Sequence, residues 1–412
     1  MDIIEAVEAI LEYGETCDHC LGRFFGKRSF SLTNEERGRA LRITRELAIN
    51  EPHREPDHRS CWICGGEFYH VDAWAAKVVE AVQDLEFATF LVGTRVPPLV
   101  AESEEMVWSD LGLRDPEPLK AEMNREVGKA VSALTGKTAD LKRPDIVVIL
   151  DLAEETVEVQ VNPVYFTGRY LKYERGIPQT HWDCRACRGA GCEKCNFTGK
   201  QYADSVEELI GRPVIEAFDA ENAVLHGAGR EDIDARMLGS GRPFVMEVEA
   251  PKKRSVDLAA LQEEINRSAD GRVAVHLTGW ANRKMVQSLK SDKAHKKYRI
   301  LVEIDGPVAS DEFRAALDQL KGVTIRQRTP TRVSHRRADL VRERQVLDIG
   351  CTGRQDDGYW VEVVGEAGLY IKELISGDGG RTQPSLAQIL GHTASVVSLD
   401  VVLVKTANEY GE

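Results

Sequence analysis

Eight of the nine cysteines in this 412-residue chain form four Cys-x-x-Cys pairs. The pairs are Cys17 and Cys20, Cys61 and Cys64, Cys184 and Cys187, and Cys192 and Cys195, while Cys351 stands alone. This spacing is typical of tight turns that present two thiolates to one metal ion. The pattern therefore predicts a fold that is stabilised by metal rather than by disulfides.

The first two pairs together supply four thiolates, which is the ligand set of a tetrahedral structural zinc site. Gly65 and Gly66 ease the turn after Cys64. Between the pairs, residues 34–47 have the pattern of an amphipathic helix, with Asn34 as its N-cap. The alternative is two unrelated pairs of buried cysteines.

The last two pairs follow each other closely, as Cys184-x2-Cys187-x4-Cys192-x2-Cys195 with two glycines between them. This segment resembles the zinc knuckles of DnaJ-type chaperones. Two interpretations remain open, namely a second zinc site and a glycine-rich hairpin with solvent-facing thiols. A zinc ion bound by four thiolates has no open coordination position for chemistry, so a zinc site here would have a structural role. The hairpin would have a structural role as well.

The net charge of −13 argues against general affinity for nucleic acids, although local basic patches can still bind phosphates. An acidic net charge combined with local basic patches fits a selective RNA-binding protein or a protein from a cytoplasm of high salt concentration. No stretch approaches the ~20 apolar residues that span a bilayer, and the N-terminus lacks the pattern of a signal peptide. We therefore expect a cytoplasmic protein, working as a monomer.

Changes in composition along the chain predict four regions. They are a zinc-knuckle region at 1–66, a mixed α/β block at 67–175, a cysteine-rich linker at 176–203 and a larger domain at 204–412. Strand patterns occur at 244–249, 273–279, 298–304, 359–364 and 396–404, and helix patterns at 258–268, 311–320 and 386–390. Because parallel crossover signals are few, we expect an α+β fold with a mostly antiparallel sheet flanked by helices.

The segment 165–179 interleaves aromatic residues with cations, a composition that suits contact with RNA. The candidate RNA-binding residues here are Arg169, Lys172 and Arg175, and the alternative is an aromatic edge strand. With Arg143-Pro-Asp145, the hairpin pattern at 145–161 and the motif Gly168-Arg-Tyr-x-Lys-x-x-Arg175-Gly, the block at 67–175 resembles a THUMP domain. The resemblance implies a module that grips the acceptor end of tRNA.

The motif at 226–239 places Arg230, Asp232 and Asp234 between glycines. Asp232 could act as a nucleophile towards a molecule bound in a cleft, with Arg230 as its partner. Asp234 is a rival nucleophile, which would share a face with Asp232 in a strand and diverge from it in a turn. The alternative is an ion-paired surface turn.

Three further segments of the last domain carry candidate residues. The basic run 283–299 contains Lys293 and Lys297 and ends near Tyr298; a solvated loop is its alternative. Seven arginines between positions 326 and 344 favour phosphate binding over a passive surface. The candidates there are Arg326, Arg328, Arg332, Arg336 and Arg337. The glycine-rich segment 367–385 adds Lys372, Leu374 and Arg381. The alternative interpretation of this segment is the ordinary end of a helix or strand, followed by a flexible loop.

Taken together, these motifs resemble the archaeal tRNA pseudouridine synthases of the Pus-ten family, over nearly the whole chain. The resemblance rests on the knuckles, the THUMP-like block, Gly229-Arg-Glu-Asp232, Lys297-Tyr-Arg299, the 328–337 segment and Tyr370-Ile-Lys-Glu-Leu-Ile-Ser-Gly-Asp378. It implies isomerisation of uridine to pseudouridine at positions 54, 55 or both in the TΨC arm of tRNA. It also implies no organic cofactor and a structural role for zinc.

The resemblance implies a role for five residues of this chain. Asp232 would be the catalytic aspartate, and Arg230 would help to flip the base. Tyr298 would stack on the flipped uracil, Lys372 would pair with Asp232, and Leu374 would wall the pocket.

Two other functions remain as alternatives. One is a non-catalytic, zinc-containing tRNA-binding or RNA-chaperone protein. The other is a THUMP-bearing methyltransferase or sulfur-transfer enzyme, but the chain lacks the glycine-rich nucleotide loop and the pyrophosphate loop of such enzymes.

Overall fold

The structure is a computed structural model that describes residues 2–114, 116–291, 294–335, 337–356 and 358–405. The chain divides into two compact units. The first comprises Met1–Pro163 with Ala250–Arg254, and the second comprises Val164–Glu249 with Ser255–Glu412.

In the first unit, six α-helices accompany a small sheet among the described residues. The helices are α1 (Ile3–Glu12), α2 (Asp18–Arg23), α3 (Asn34–Ile49), α4 (Val71–Ala81), α5 (Pro98–Leu111) and α6 (Leu119–Thr135). The strands are β1 (Thr89–Arg95), β2 (Thr138–Ala139), β3 (Ile146–Asp151) and β4 (Thr156–Val161). Their order in the sheet is β2-β1-β3-β4; β1 runs parallel to β2 and β3, and β3 and β4 form the predicted antiparallel hairpin.

Two glycines allow α2 and α3 to pack with their backbones in contact. A Cβ atom on Gly22 would lie 1.7 Å from the carbonyl oxygen of Asn34, and one on Gly38 would lie 1.9 Å from that of Asp18. The N-cap of α3 is Thr33 rather than the predicted Asn34, because Thr33 and Glu36 form a capping box. This packing fixes α2, whose first turn carries Cys20, against the long helix.

The second unit contains most of the strands. The strands are β5 (Val164–Lys172), β6 (Asn222–Gly227), β7 (Arg236–Glu249), β8 (Val273–Ala281), β9 (His295–Ile304), β10 (Thr324–Arg328), β11 (Val341–Gln355), β12 (Gly358–Gly365), β13 (Thr382–Gln383) and β14 (Ala394–Lys405). The helices are α7 (Val206–Phe218), α8 (Leu258–Ser268), α9 (Arg283–Ser291), α10 (Ser310–Asp318), α11 (Ile371–Ser376) and α12 (Leu386–Leu390).

These strands form one sheet in the order β13-β10-β11-β12-β9-β14-β7-β5-β8, with β6 added alongside β7. Every described pairing in it is antiparallel except that of β14 with β7. The predicted class, a mostly antiparallel sheet with helices, is confirmed. A single apolar core joins the sheet to the helices, with Phe166, Phe244, Ile300, Val361 and Leu374 among its buried members.

The structure differs from the expected domain boundaries at residues 164–175. We placed this segment in the THUMP-like block, but β5 lies between β7 and β8 in the second sheet. Both edges of β5 are hydrogen-bonded, and the alternation of buried and partly exposed residues along it shows that one of its faces packs against the core. The cysteine-rich segment 176–203 also lies within the second unit.

Within the described residues, no helix combines the length and the apolar character that crossing a membrane would need.

Candidate active site

A cleft of about 210 Å³ opens in the second unit, at the loop between β6 and β7. The residues that line it are Arg230, Glu231, Asp232, Arg242, Lys296, Tyr298, Arg332, Val333, Arg337, Arg342, Arg344, Gly368, Leu369, Tyr370, Ile371, Lys372, Leu399 and Val401. Arginine and lysine greatly outnumber the two carboxylates in this set. The cleft is therefore suited to an anionic ligand.

The β6–β7 loop presents Asp232 to this cleft. Gly229 begins the turn at φ +80°, a conformation that favours glycine. The Asp232 carboxylate accepts a hydrogen bond of 2.9 Å from Nη1 of Arg332, and Nζ of Lys372 lies 3.9 Å from it. Its side chain keeps 29% of its surface exposed, so the carboxylate is paired and still open to a ligand.

Arg332 is a part of this centre rather than a free phosphate contact. Its Nε donates to Oε1 of the buried Glu373 at 2.7 Å while its Nη1 holds Asp232. Burial by itself would lower the pKa of Arg332, but the hydrogen bond to Glu373 and the charge of Asp232 outweigh burial and raise it. The guanidinium thus stays charged and is oriented by two carboxylates.

Residues 230–235 form a turn and not a strand, yet the carboxylates of Asp232 and Asp234 both lie near Nζ of Lys372. Asp234 is 66% exposed, lies outside the cleft lining and accepts a hydrogen bond of 2.6 Å from Lys372. Burial alone would raise the pKa of Asp234, and the hydrogen bond from Lys372 and its charge lower it. Lys372 therefore lies nearer to Asp234 than to Asp232.

Tyr298 lies on β9, where its ring lines the cleft and is almost completely buried. Burial raises the pKa of Tyr298 to about 12; the charge of Arg242 acts against this rise and that of Asp232 adds to it. The phenol is therefore protonated at neutral pH and presents an apolar ring with a hydroxyl donor.

A buried polar network lies beneath the loop, and the sequence analysis missed it. The Glu231 side chain is 0% exposed; it accepts hydrogen bonds from Tyr170 and from Nε of Arg242. Arg242 also donates to the carbonyl of Ala228, and Gln179 donates to that of Gly229. These bonds hold residues 228–231, at the start of the turn that carries Asp232, since buried groups that satisfy one another rigidify their surroundings.

Two other expectations about this region need correction. Leu374 does not line the cleft, because it is completely buried in the core; Leu369 and Ile371 supply the apolar wall. Arg230 lines the cleft with an exposed side chain, and the arginine paired with Asp232 is Arg332. The spacing of residues along the chain could not show this pairing, since it joins segments far apart in sequence.

Lys172 is the clearest misassignment among the predicted RNA contacts. Its side chain is completely buried, and Nζ donates to the carbonyls of Ile177 and Ile233 at 2.8 and 3.1 Å. Arg175 donates to Asp400 and to the carbonyls of Asp234 and Leu399. These two cations therefore hold the β6–β7 loop in place, through the carbonyls of Ile233 and Asp234.

The remaining predicted RNA contacts differ in how free their cations are. Arg169 donates to the carbonyls of Ser240, Gly241 and Val404. Ion pairs or hydrogen bonds engage Lys297 with Glu362, Arg328 and Arg381 with Asp339, and Arg337 with the Tyr370 hydroxyl. Arg326 is exposed on β10. Lys293 and Arg336 lie outside the described residues.

Each predicted cysteine set converges on one point. The four Sγ atoms of Cys17, Cys20, Cys61 and Cys64 lie within 4.8 Å of one another, as do those of Cys184, Cys187, Cys192 and Cys195. The first group lies in the first unit and the second group in the second unit.

The sulfur separations fit a shared tetrahedral ion. Four ligands at a Zn–S distance of about 2.3 Å lie roughly 3.8 Å apart at the corners of a tetrahedron. The Cys17–Cys64 separation is 3.8 Å, and three separations in the second group are 3.7, 3.8 and 3.9 Å. The first group is wholly buried, whereas Cys187 and Cys192 of the second are partly exposed.

Comparison with known families matches the two units separately. Residues 74–151 match the model described as "Pus10 THUMP domain, archaeal", and residues 165–405 match that described as "Pus10, C-terminal". The expected THUMP resemblance is thus confirmed for residues 74–151. Residues 168–176, which we expected in the THUMP-like block, fall instead within the C-terminal match. This agrees with the position of β5 in the second sheet.

Three relatives match almost the whole chain. It is 47% identical to the tRNA pseudouridine synthase Pus10 of Halorubrum lacusprofundi, over 99% of this chain and 98% of that protein. The identity to the Pus10 of Methanothrix thermoacetophila is 44%, over 97% and 94%. For the Pus10 of Methanopyrus kandleri it is 43%, over 97% and 98%. On the family models and these identities, the chain belongs to the Pus10 family.

Proposed function

We propose that this protein is a tRNA pseudouridine synthase that isomerises uridine to pseudouridine in the TΨC arm, at position 54, 55 or both. The observation that carries the proposal is Asp232, a paired but exposed carboxylate in a cationic cleft of a Pus10-family chain. The names and high identities of the relatives support the reaction class.

The reaction needs a site that accepts one nucleotide out of its stack. The C1′–N1 bond breaks, the uracil rotates, and a C1′–C5 bond forms; C5 loses a proton and N1 gains one, so no oxidant or reductant is consumed. Flipping the base costs a few kcal/mol, which binding elsewhere must offset. The cations around the cleft, such as Arg230, Arg342 and Arg344, supply contacts for the flanking phosphates.

We assign a role to each group at the centre. The Asp232 carboxylate attacks the ribose of the flipped nucleotide, and Arg332 and Lys372 orient it. Tyr298 offers its ring face to the uracil, while Leu369 and Ile371 exclude water from one wall. None of these steps requires an organic cofactor.

We propose further that each four-cysteine group binds a structural zinc ion. Cys17, Cys20, Cys61 and Cys64 would hold one ion, and Cys184, Cys187, Cys192 and Cys195 the other. Each ion would supply folding energy only, since four thiolates leave no open position.

The test is to incubate the purified protein with an unmodified tRNA transcript and to map pseudouridine at single-nucleotide resolution. We expect product in the TΨC arm with the wild-type protein and none with Asp232→Ala, although both proteins bind the transcript. Binding by the wild-type protein without any isomerisation would overturn the proposal in favour of a non-catalytic tRNA-binding protein.

A further inference from the structure

Lys296 is a cation of the cleft that has no role in the function proposed above. It lies on β9 two residues before Tyr298, so their side chains share one face of the strand. Both residues line the same cleft as Asp232. Lys297, between them, points to the opposite face and pairs with Glu362.

The ammonium of Lys296 lies against the turn that carries Asp232. A Cβ atom on Gly229 would be 3.1 Å from Nζ of Lys296 and 3.3 Å from Nη1 of Arg242, so both cations meet at this corner of the cleft. Arg242 is neutralised by Glu231, whose oxygens are already engaged by Arg242 and Tyr170. Among the described residues, no side chain accepts a hydrogen bond from Lys296.

An ammonium in this position is costly in the empty protein. Burial and the nearby charge of Arg242 lower the pKa of Lys296 to about 8, and the charge of Glu231 only partly opposes them. A partly buried cation without an acceptor is destabilising unless a bound group supplies one. The corner contains two cations and one carboxylate, and its excess positive charge faces the ligand space.

The proposed isomerisation creates an anion beside this corner. When the C1′–N1 bond breaks, its electron pair stays on the uracil, and the negative charge spreads over the ring and its two carbonyl oxygens. We propose that Lys296 binds the detached uracil through a carbonyl oxygen and stabilises this transient charge. The inference rests on the proposed function, since it needs a base that leaves its ribose.

The presence of Tyr298 in the same cleft agrees with this arrangement. Tyr298 lines the cleft together with Asp232, Arg242 and Lys296, and the charges of both Arg242 and Asp232 act on its phenol. In the proposed complex, a uracil stacked on that ring has its ribose end towards Asp232 and a carbonyl oxygen towards Lys296. A preorganised cation of this kind acts on charge that exists only during the reaction.

The experiment compares Lys296→Met and Lys296→Ala with the wild-type protein on a full-length tRNA transcript. We expect the single-turnover rate at saturating enzyme to fall by roughly 100-fold, and the Kd for tRNA to stay within about twofold. n-Propylammonium chloride should restore part of the rate in Lys296→Ala, and tetramethylammonium chloride should not. The control Lys321→Met removes a surface lysine that is paired with Asp348, and it should keep wild-type kinetics.

Four outcomes would overturn the inference. The first is an unchanged single-turnover rate. The second is weaker tRNA binding with a shallower salt dependence, while the rate at saturating enzyme stays normal. The third is a folded Lys296→Ala variant that the amine does not rescue, and the fourth is unfolding of both variants. The second outcome would mark a phosphate contact, and the last two a structural lysine. A wild-type protein that makes no pseudouridine would instead contradict the proposed function. Failure of the proposed function is therefore distinguishable from failure of the inference about Lys296.

Discussion

Arg332 joins Asp232 to Glu373: its Nη1 donates to the first carboxylate at 2.9 Å and its Nε to the second at 2.7 Å. Glu373 is almost completely buried in α11, whereas Asp232 faces the cleft. The arginine therefore connects the loop between β6 and β7 to the core of the unit.

Replacing each aspartate in turn tests which one reacts. We expect Asp232→Ala to abolish pseudouridine formation with tRNA affinity nearly unchanged, because it removes the carboxylate that faces the cleft. Asp234→Ala should retain most activity, since that carboxylate is exposed and lies outside the lining. Product mapping and a filter-binding titration check both variants. Equal loss of activity in the two would contradict the assignment of Asp232.

Removing the Arg332 side chain should affect both rate and stability. Arg332→Met leaves the buried Glu373 carboxylate without its guanidinium, which we expect to cost about 2 kcal/mol of unfolding free energy; the arginine is partly exposed, so the full penalty of a buried pair does not apply. The rate should fall by roughly 100-fold, as Asp232 loses its orientation.

A double-variant cycle separates these two effects. The paired variant Arg332→Met with Glu373→Gln should regain stability but not rate, as measured by urea unfolding and single-turnover assays. Simple additivity of the two stability losses would contradict a direct coupling.

Lys172 should matter for stability and not for RNA binding. Lys172→Met removes donors from buried carbonyls, and we expect a loss of about 1–3 kcal/mol in unfolding free energy. The salt dependence of tRNA binding should not change. The comparison variant Arg326→Met, at an exposed site on β10, should make the salt dependence shallower by ~1 in slope without loss of stability.

Alkaline pH should weaken the second unit through its buried tyrosines. The pKa of Tyr298 is about 12 in the folded protein, and that of an unfolded tyrosine is about 10. The folded state therefore holds the proton more tightly. Its contribution to stability is complete below pH ~10 and is lost as the pH rises to ~12.

Urea unfolding at pH 9 and pH 11 measures this effect. Tyr298→Phe should show a smaller loss of stability between the two pH values than the wild-type protein. A residual loss should remain, because burial also raises the pKa of Tyr165 to about 12. An identical loss in both proteins would show that Tyr298 does not contribute.

Metal removal should affect the two cysteine groups unequally. We expect elemental analysis to find two zinc ions per chain, and one in either Cys17→Ser with Cys20→Ser or Cys184→Ser with Cys187→Ser. The first double variant should lower Tm more, because its group is wholly buried in the core of its unit. A zinc content of zero in the wild-type protein would contradict the proposed sites.

Local patterns predicted much of this fold, and long-range pairing explains the rest. The strand patterns at 298–304 and 359–364 and the helix pattern at 258–268 correspond to β9, β12 and α8. The strand β11 was missed because its arginines, among them Arg342 and Arg344, suggested an RNA-binding loop. Both line the cleft from a strand that pairs with β10 and β12.

Within the candidate site, the motif identified the loop but not its partners. Asp232, Tyr298 and Lys372 were predicted, and all three line the cleft. Glu231 and Lys296 were missed, although they adjoin predicted residues; strand alternation from Tyr298 would have placed Lys296 on the same face. The pairing of Asp232 with Arg332 depends on tertiary structure and has no local signal.

The central position of β14 also has a consequence for synthesis on the ribosome. In the sheet, β9 with Tyr298 and the strand β7 that follows Asp232 do not pair with each other, and Ala394–Lys405 lies between them. A nascent chain whose residues 394–405 are still inside the exit tunnel has two unjoined half-sheets, each with part of the cleft. The first unit can fold early, but the cleft is assembled only when this late segment has emerged.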